Sequence, residues 1–187
     1  EPLQMGSVSD WHLSACRELR QLDLSNVEPH LSGEQALAAW QHLEQLKIWP
    51  AHSCRDAGFW HVLPQLASLT GLAISGFQEE LFQVLDQALP ACSSLVQLTL
   101  GMRDWVTLPQ LPTTLPSLRI VGQCMLGQLP VIPMLRCLEA YDCPYLAEYL
   151  WDHPGAAGAL SQLTRLQLRK CELHQLPDPW AALPGLE

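Results

Sequence analysis

Hydrophobic positions recur along this chain in the pattern Leu-x-x-Leu-x-(Leu/Ile), which occurs seven times, with Ala140 closing the sixth copy, and begins an eighth time near the last residue. Successive copies start 20 to 28 residues apart. Side chains alternate between the two faces of a strand, so the second and third apolar positions of each copy share one buried face. The pattern therefore predicts one short strand in each copy. The copies begin at Leu19, Leu43, Leu69, Leu95, Leu115, Leu135, Leu163 and Leu183.

A second column of mostly apolar residues supports the same phase. It lies three residues before each start and consists of Cys16, Trp40, Leu66, Cys92, Pro112, Ile132, Leu160 and Trp180. We predict that this column belongs to the core. Cys16 and Cys92 are expected to be small buried residues, because free cysteine is among the most buried residue types.

The segments between the strands differ in length and composition. Ser32 to Gln35 resembles a capping box, so a short helix is predicted over residues 32–42. The stretch from Glu79 to Leu89 spaces its apolar residues for one buried helical face. Between Leu108 and Met134 five prolines exclude regular helix, so these units should return by extended or 3₁₀ segments.

The periods and the copy from Leu163 to Leu173, which carries Cys171 at its ninth position, resemble the leucine-rich repeat superfamily. The resemblance implies an α/β fold: a horseshoe-shaped solenoid whose parallel sheet lines a concave, protein-binding face. Residues 1–187 are predicted to form a single domain of about seven repeats plus the start of an eighth. Because the chain stops inside a repeat without a polar cap, we expect a segment of a longer protein. Some copies, such as Leu115 to Ile120, are similar to repeats of plant-type immune receptors, and the mixed long units to those of F-box adaptors.

Charge and cysteine content narrow the classes of partner and compartment. The formal net charge is −9, which argues against broad binding to nucleic acid or to anionic membranes. The seven cysteines are odd in number and include no Cys-x-x-Cys, so neither a disulfide framework nor a zinc ribbon is indicated. Reduced thiols and a cytoplasmic location are the simpler interpretation. The oligomeric state stays open.

Alternation also predicts which side chains point outward from the strands. They form three columns across the sheet, and small residues occupy the middle of the face. The first column is Gln21, Gln45, Gly71, Gln97, Ser117, Cys137 and Arg165; the second is Asp23, Lys47, Ala73, Thr99, Arg119, Glu139 and Gln167; the third is Ser25, Trp49, Ser75, Gly101, Val121, Tyr141 and Arg169.

Several outward residues are candidates for protein binding. Trp49 and Tyr141 are natural anchors, although each would otherwise cover apolar surface beside Pro50 or Pro144. Lys47 and Arg119 are expected to pair with acidic residues one strand away, whereas Arg165 and Arg169 have no obvious partner and could receive an acidic protein. The predicted binding residues are Trp49, Arg119, Glu139, Tyr141, Arg165, Gln167 and Arg169.

Catalysis is not expected in this chain. The cluster His52-Ser53-Cys54 is interpreted as an ordinary loop, and no phosphate-binding loop, nucleophile elbow or metal-ligand spacing of histidines occurs. No catalytic, cofactor-binding or metal-binding residue is therefore assigned. Three function classes stay open. The first is a protein-recognition module of a larger receptor-like or adaptor protein. The second is the recognition domain of an enzyme, such as a ubiquitin ligase, whose catalytic domain lies elsewhere. The third is a structural spacer, which should lack exposed Trp, Tyr and unpaired Arg on this face.

Overall fold

Seven five-residue strands dominate the computed structural model, which describes residues 18–25, 40–49, 57–76, 79–102, 107–123, 126, 129–146 and 160–172. Each strand begins two residues after the first leucine of a copy, as the alternation predicts. The strands are β1 (Gln21–Ser25), β2 (Gln45–Trp49), β3 (Gly71–Ser75), β4 (Gln97–Gly101), β5 (Ser117–Val121), β6 (Cys137–Tyr141) and β7 (Arg165–Arg169).

All seven strands form one parallel sheet in sequence order. The register places equivalent residues of successive copies side by side, so that Leu46 pairs with Leu72 and Leu98 with Leu118. Parallel neighbours need a crossover segment between them, and here each crossover is one return of the solenoid. The predicted fold class is thus confirmed: an α/β, leucine-rich-repeat-like solenoid with short helical segments.

The core lies beneath the sheet and is continuous along it. The second and third apolar positions of β2 to β6 are buried, while those of β7 and Leu22 of β1, in the two outermost described strands, are half-buried. The column three residues before each start is also buried wherever it is described, including Trp40, Leu66 and Cys92. Cys16, Trp180 and the eighth copy lie outside the described residues.

A repeated backbone turn explains why that column is inside. In the second to seventh copies the N–H of the first leucine donates to the carbonyl three residues earlier, for example Leu43 to Trp40 and Leu163 to Leu160, at 3.0 and 2.9 Å. An i to i+3 hydrogen bond closes a tight turn. Both of its end residues therefore enter the core together.

Two helices whose bounds lie within the described residues occur in the crossover segments of the longer units. The first, α1 (Ala57–His61), was not predicted; the second, α2 (Glu79–Ala88), confirms the prediction for Glu79 to Leu89. Each is followed by a short 3₁₀ segment, Leu63–Gln65 and Leu89–Ala91. The helix α2 ends just before Leu89-Pro90, since a residue preceding proline disfavours the helical region.

Large aromatic side chains pack beneath the first helix. The rings of Trp40 and Phe59 meet edge to face with centroids 5.6 Å apart, and those of Phe59 and Trp60 at 5.0 Å. Of the predicted helix over residues 32–42, only residues 40–42 are described, and they lead into a turn. Within the described part of 108–134 there is no helix, as the prolines predict. None of the described helices has the length and apolar character needed to cross a membrane.

Candidate functional site

The candidate site is the face of the sheet that points away from the core, which we call the outward face. It consists of the first, third and fifth residues of the strands, and the register aligns them in the three predicted columns. Trp49, Arg119, Glu139, Tyr141, Arg165, Gln167 and Arg169 all belong to these columns.

The outward face brings six of these seven residues together and leaves Trp49 apart. The six lie on β5, β6 and β7, which are adjacent. Trp49 is on β2, in the same column as Tyr141 but four strands away, or about 19 Å at the usual strand spacing. Both rings are accessible, with exposed fractions of 39% for Trp49 and 36% for Tyr141. They are two separate candidate anchors, too far apart to form one aromatic cluster.

The predicted ion pairs form, and a further one appears. Lys47 Nζ lies 3.0 Å from Asp23 Oδ2, and Arg119 Nε lies 3.8 Å from Glu139 Oε2. The interpretation that Arg165 has no partner was wrong, because its Nη2 lies 3.8 Å from Glu139 Oε1. Glu139 pairs in register with Gln167, and Arg165 reaches it diagonally from two residues earlier on β7. No ion pair of Arg169 is found among the described residues.

Lys170, which alternation did not identify, joins this region. Its Nζ lies 5.0 Å from the ring centroid of Tyr141, a cation–π arrangement. A hydrogen bond with the Tyr141 side chain raises the pKa of Lys170. Lys170 follows the end of β7 and has φ of +55°, so its side chain leaves the alternation of the strand. The basic pair Arg169-Lys170 was the available sequence signal.

Positive φ is a recurrent feature of the residue after a strand. It occurs at Gly76, Gly122, Asp142 and Lys170. Glycine adopts this conformation without a steric penalty and aspartate is enriched in it, whereas lysine is an unusual choice. The turn after β7 therefore holds its lysine in a costly backbone conformation.

The other half of the outward face contains a hollow of about 770 Å³ across β1 to β4. Two small residues, Gly71 and Ala73, belong to its lining. The Gln45 amide lies over Gly71, and its Nε2 donates to Thr70 Oγ1 at 3.3 Å. The hollow is lined by both polar and apolar surface, and its lining includes Gln21, Asp23, Lys47, Ala73, Gln97 and Thr99.

Two buried cysteines lie after β6 and β7, and each contacts the preceding coil, which is the repeat before its own. Cys143 and Cys171 occupy the ninth position of their copies, where the resemblance places Asn or Cys. The Cys143 sulfur lies 3.4 Å from the carbonyl oxygens of Gly122 and of Tyr141, and its single S–H donates to one acceptor at a time. The Cys171 thiol contacts the carbonyls of Ala140 at 3.7 Å and Arg169 at 3.3 Å. In each case one acceptor belongs to the preceding coil, so each thiol, while it is protonated, links its own coil to the one before it.

The Cys143 thiol also affects the ionisation of Cys171. A hydrogen bond from the Cys143 side chain lowers the pKa of Cys171 to about 6. Burial raises the pKa of Cys92 to about 12, in keeping with its predicted place in the core. The described cysteines are free thiols, and no group of three or more potential metal ligands occurs in the described segments. The cluster His52-Ser53-Cys54 lies outside the described residues.

Comparison of the chain with protein-family models, curated proteins and solved structures gave no match. The fold assignment consequently depends on the sheet itself: parallel order, consecutive pairing and a repeated register.

Proposed function

We propose that the chain is a protein-recognition module whose outward face receives a partner protein. One observation carries this proposal. The outward face combines two accessible aromatic rings with several arginines, and Trp, Tyr and Arg are the residues most enriched at interface hot spots. A spacer gains nothing from such side chains on its exposed sheet. We further propose that this module acts in the cytoplasm as part of a larger receptor-like or adaptor protein.

In this proposal the hollow receives part of the partner, and the two aromatic side chains contact the partner beside it. The hollow leaves room for a partner side chain between β1 and β4. Glutamine amides around the hollow both donate and accept hydrogen bonds, which suits the backbone of an extended partner segment. Trp49 and Tyr141 would then supply apolar contact on either side of the middle of the face.

A quantitative pull-down tests the proposal. The wild-type chain is the bait in a cell extract, and it is compared with Trp49→Ala/Tyr141→Ala and with Arg165→Glu/Arg169→Glu. The matched control is Val131→Ala/Met134→Ala, because both residues are exposed and neither lies on the outward face. Circular dichroism and thermal unfolding establish that each variant is folded.

We expect a specific protein to be captured by the wild type and the control, and to be reduced at least about tenfold by the aromatic variant. If all four baits capture the same proteins in the same amounts, the outward face is not the recognition surface. That outcome would favour the spacer, or recognition through another part of the parent protein.

A further inference from the structure

Two arginines contact one carboxylate at the β5–β7 end of the outward face, and two further basic residues lie at the end of β7 and in the turn after it. The basic patch consists of Arg119 and Arg165, which contact Glu139, together with Arg169 and Lys170. With Glu139 and with Asp142, whose charge acts on Lys170, its formal charge is +2, so the remainder of the chain carries −11 within the total of −9. The patch is therefore a local positive region on a chain whose net charge is negative.

The basic side chains retain most of their hydrogen-bonding capacity. Both contacts with Glu139 measure 3.8 Å, which is beyond hydrogen-bond distance, so one carboxylate only loosely balances two guanidinium groups. Each guanidinium offers five N–H donors in a planar fork. The side chains of Arg119 and Arg165 are 51% and 57% exposed, and Arg169 has no ion pair among the described residues.

From this arrangement we infer that the basic patch binds an acidic peptide segment of the partner. This inference rests on the proposed function and names the partner chemistry at the same face. Carboxylates accept paired hydrogen bonds from arginine, which are stronger than contacts between neutral groups. Arg165 and Arg169 are four residues apart on one strand, or about 13 Å, and both point outward. An extended segment with acidic residues four positions apart reproduces this spacing.

Lys170 and Tyr141 complete the patch. The lysine lies over the tyrosine ring in a backbone conformation that costs free energy, and the ring leaves the edge of the patch partly apolar. A partner carboxylate meeting Lys170 would contact the ring with its methylene carbons.

The size and surroundings of the patch select a short segment over a long polyanion. Arg119 and β7 are two strands apart, so the patch spans only about 10 Å across the sheet. Beyond it the chain is strongly acidic, and a nucleic acid extending past the patch would be repelled. A few acidic side chains fit within the positive region, and flanking neutral residues can follow the glutamine-lined part of the outward face.

Fluorescence anisotropy with labelled octaglutamate tests the inference on the full chain at low and high salt. Octaglutamine is the uncharged control peptide. The variant Arg165→Gln/Arg169→Gln removes two positive charges from the patch. The control Arg20→Gln/Arg136→Gln removes two exposed positive charges that belong to none of the three columns of the outward face. We expect octaglutamate to bind the wild type and the Arg20/Arg136 variant alike, and the Arg165/Arg169 variant at least about tenfold more weakly. High salt should weaken binding.

Equal binding of octaglutamate to the two double variants, or no preference over octaglutamine, would overturn the inference. Selection from a random peptide library on the wild type separates this failure from failure of the proposed function. Enriched neutral peptides whose binding depends on Trp49 would keep the recognition role and reject the acidic partner. If neither octaglutamate nor any library peptide binds, both proposals are wrong.

Discussion

Gly101 in β4 lies so close to Ser75 in β3 that a Cβ atom at position 101 would overlap the Ser75 Cβ and lie 3.2 Å from the Ser75 Cα. The two residues pair in register, and Ser75 Oγ is buried without a hydrogen-bond partner. At this point in the third column the two strands pack so closely that the Ser75 side chain is buried. This contact makes the small residues at both positions a packing requirement, in addition to any role they have in binding.

Gly101→Ala should accordingly destabilise the chain by about 1–3 kcal/mol, since an added methyl group in a packed site forces backbone or side-chain shifts. Ser75→Gly/Gly101→Ala should recover much of that loss, because the overlapping Cβ is removed. Urea unfolding of the single and double variants measures the coupling free energy. Gly71→Ala is the comparison, since the group it meets is the flexible end of Gln45. Additive effects at positions 75 and 101 would contradict the contact.

The phase of the strands is tested by two adjacent substitutions. Leu98 is 0% exposed, whereas Thr99 points outward from the same strand, beside Arg119. Leu98→Asp should unfold the chain, because burying an unpaired carboxylate costs several kcal/mol. Thr99→Asp should change the free energy of unfolding by no more than about 0.5 kcal/mol. Thermal unfolding followed by circular dichroism makes the comparison, and equal damage from both would show that the inward and outward columns are wrong.

The strands were predictable because two independent regularities agree on them. The repeat period sets where each copy begins, and alternation then assigns every strand residue to one face. Prediction failed for α1, because five residues are too short a segment to show a helical period. The ion pair between Arg165 and Glu139 was also not predicted. Column reasoning compares residues directly opposite each other, whereas a side chain as long as that of Arg165 reaches a diagonal neighbour.

Two further features, the position of the Lys170 side chain and the contact between Ser75 and Gly101, were also not predicted from the sequence. Lys170 was missed because alternation applies only while the backbone stays extended, and its positive φ redirects the side chain toward Tyr141. The closed packing of Ser75 against Gly101 was likewise hidden, since the pattern shows that both residues are small but not how closely two strands bring them. The sequence identifies the charged residues, but only the fold shows which of them share a partner.

Asp23 offers a test of which neighbour controls a surface carboxylate. Its pKa is lowered first by the hydrogen bond from the Ser25 hydroxyl and second by that from Lys47. A lowered pKa stabilises the fold above the ordinary value of 3.8, and this contribution is lost as the pH falls through the lowered value. Ser25→Ala should therefore raise the pKa of Asp23 more than Lys47→Met does, as measured by carboxyl-carbon NMR titration. A larger rise in the lysine variant would reverse this ranking.

Cys171 and Cys92 should differ sharply in reactivity although they are equally buried, at 3% and 2% exposed. The hydrogen bond from Cys143 lowers the pKa of Cys171 to about 6, and burial raises that of Cys92 to about 12. The thiolate is the nucleophile, so at neutral pH iodoacetamide should alkylate Cys171 well before Cys92. Peptide mass spectrometry of the folded chain over time measures both rates. Labelling of Cys92 at the same rate as Cys171 would contradict the assigned ionisation states.

The same shifts predict opposite dependences of stability on pH. Between pH 6 and the ordinary thiol value of 9.0, the folded chain has lost the Cys171 proton while the unfolded chain keeps it, so stability should rise with pH. From 9.0 toward 12 the unfolded chain loses the Cys92 proton first, so that contribution should decline. Urea unfolding across this range, compared with Cys171→Ser, isolates the first effect. The serine variant should lack the rise between pH 6 and 9, because it has no thiol to ionise; an identical rise in both chains would assign it to another group.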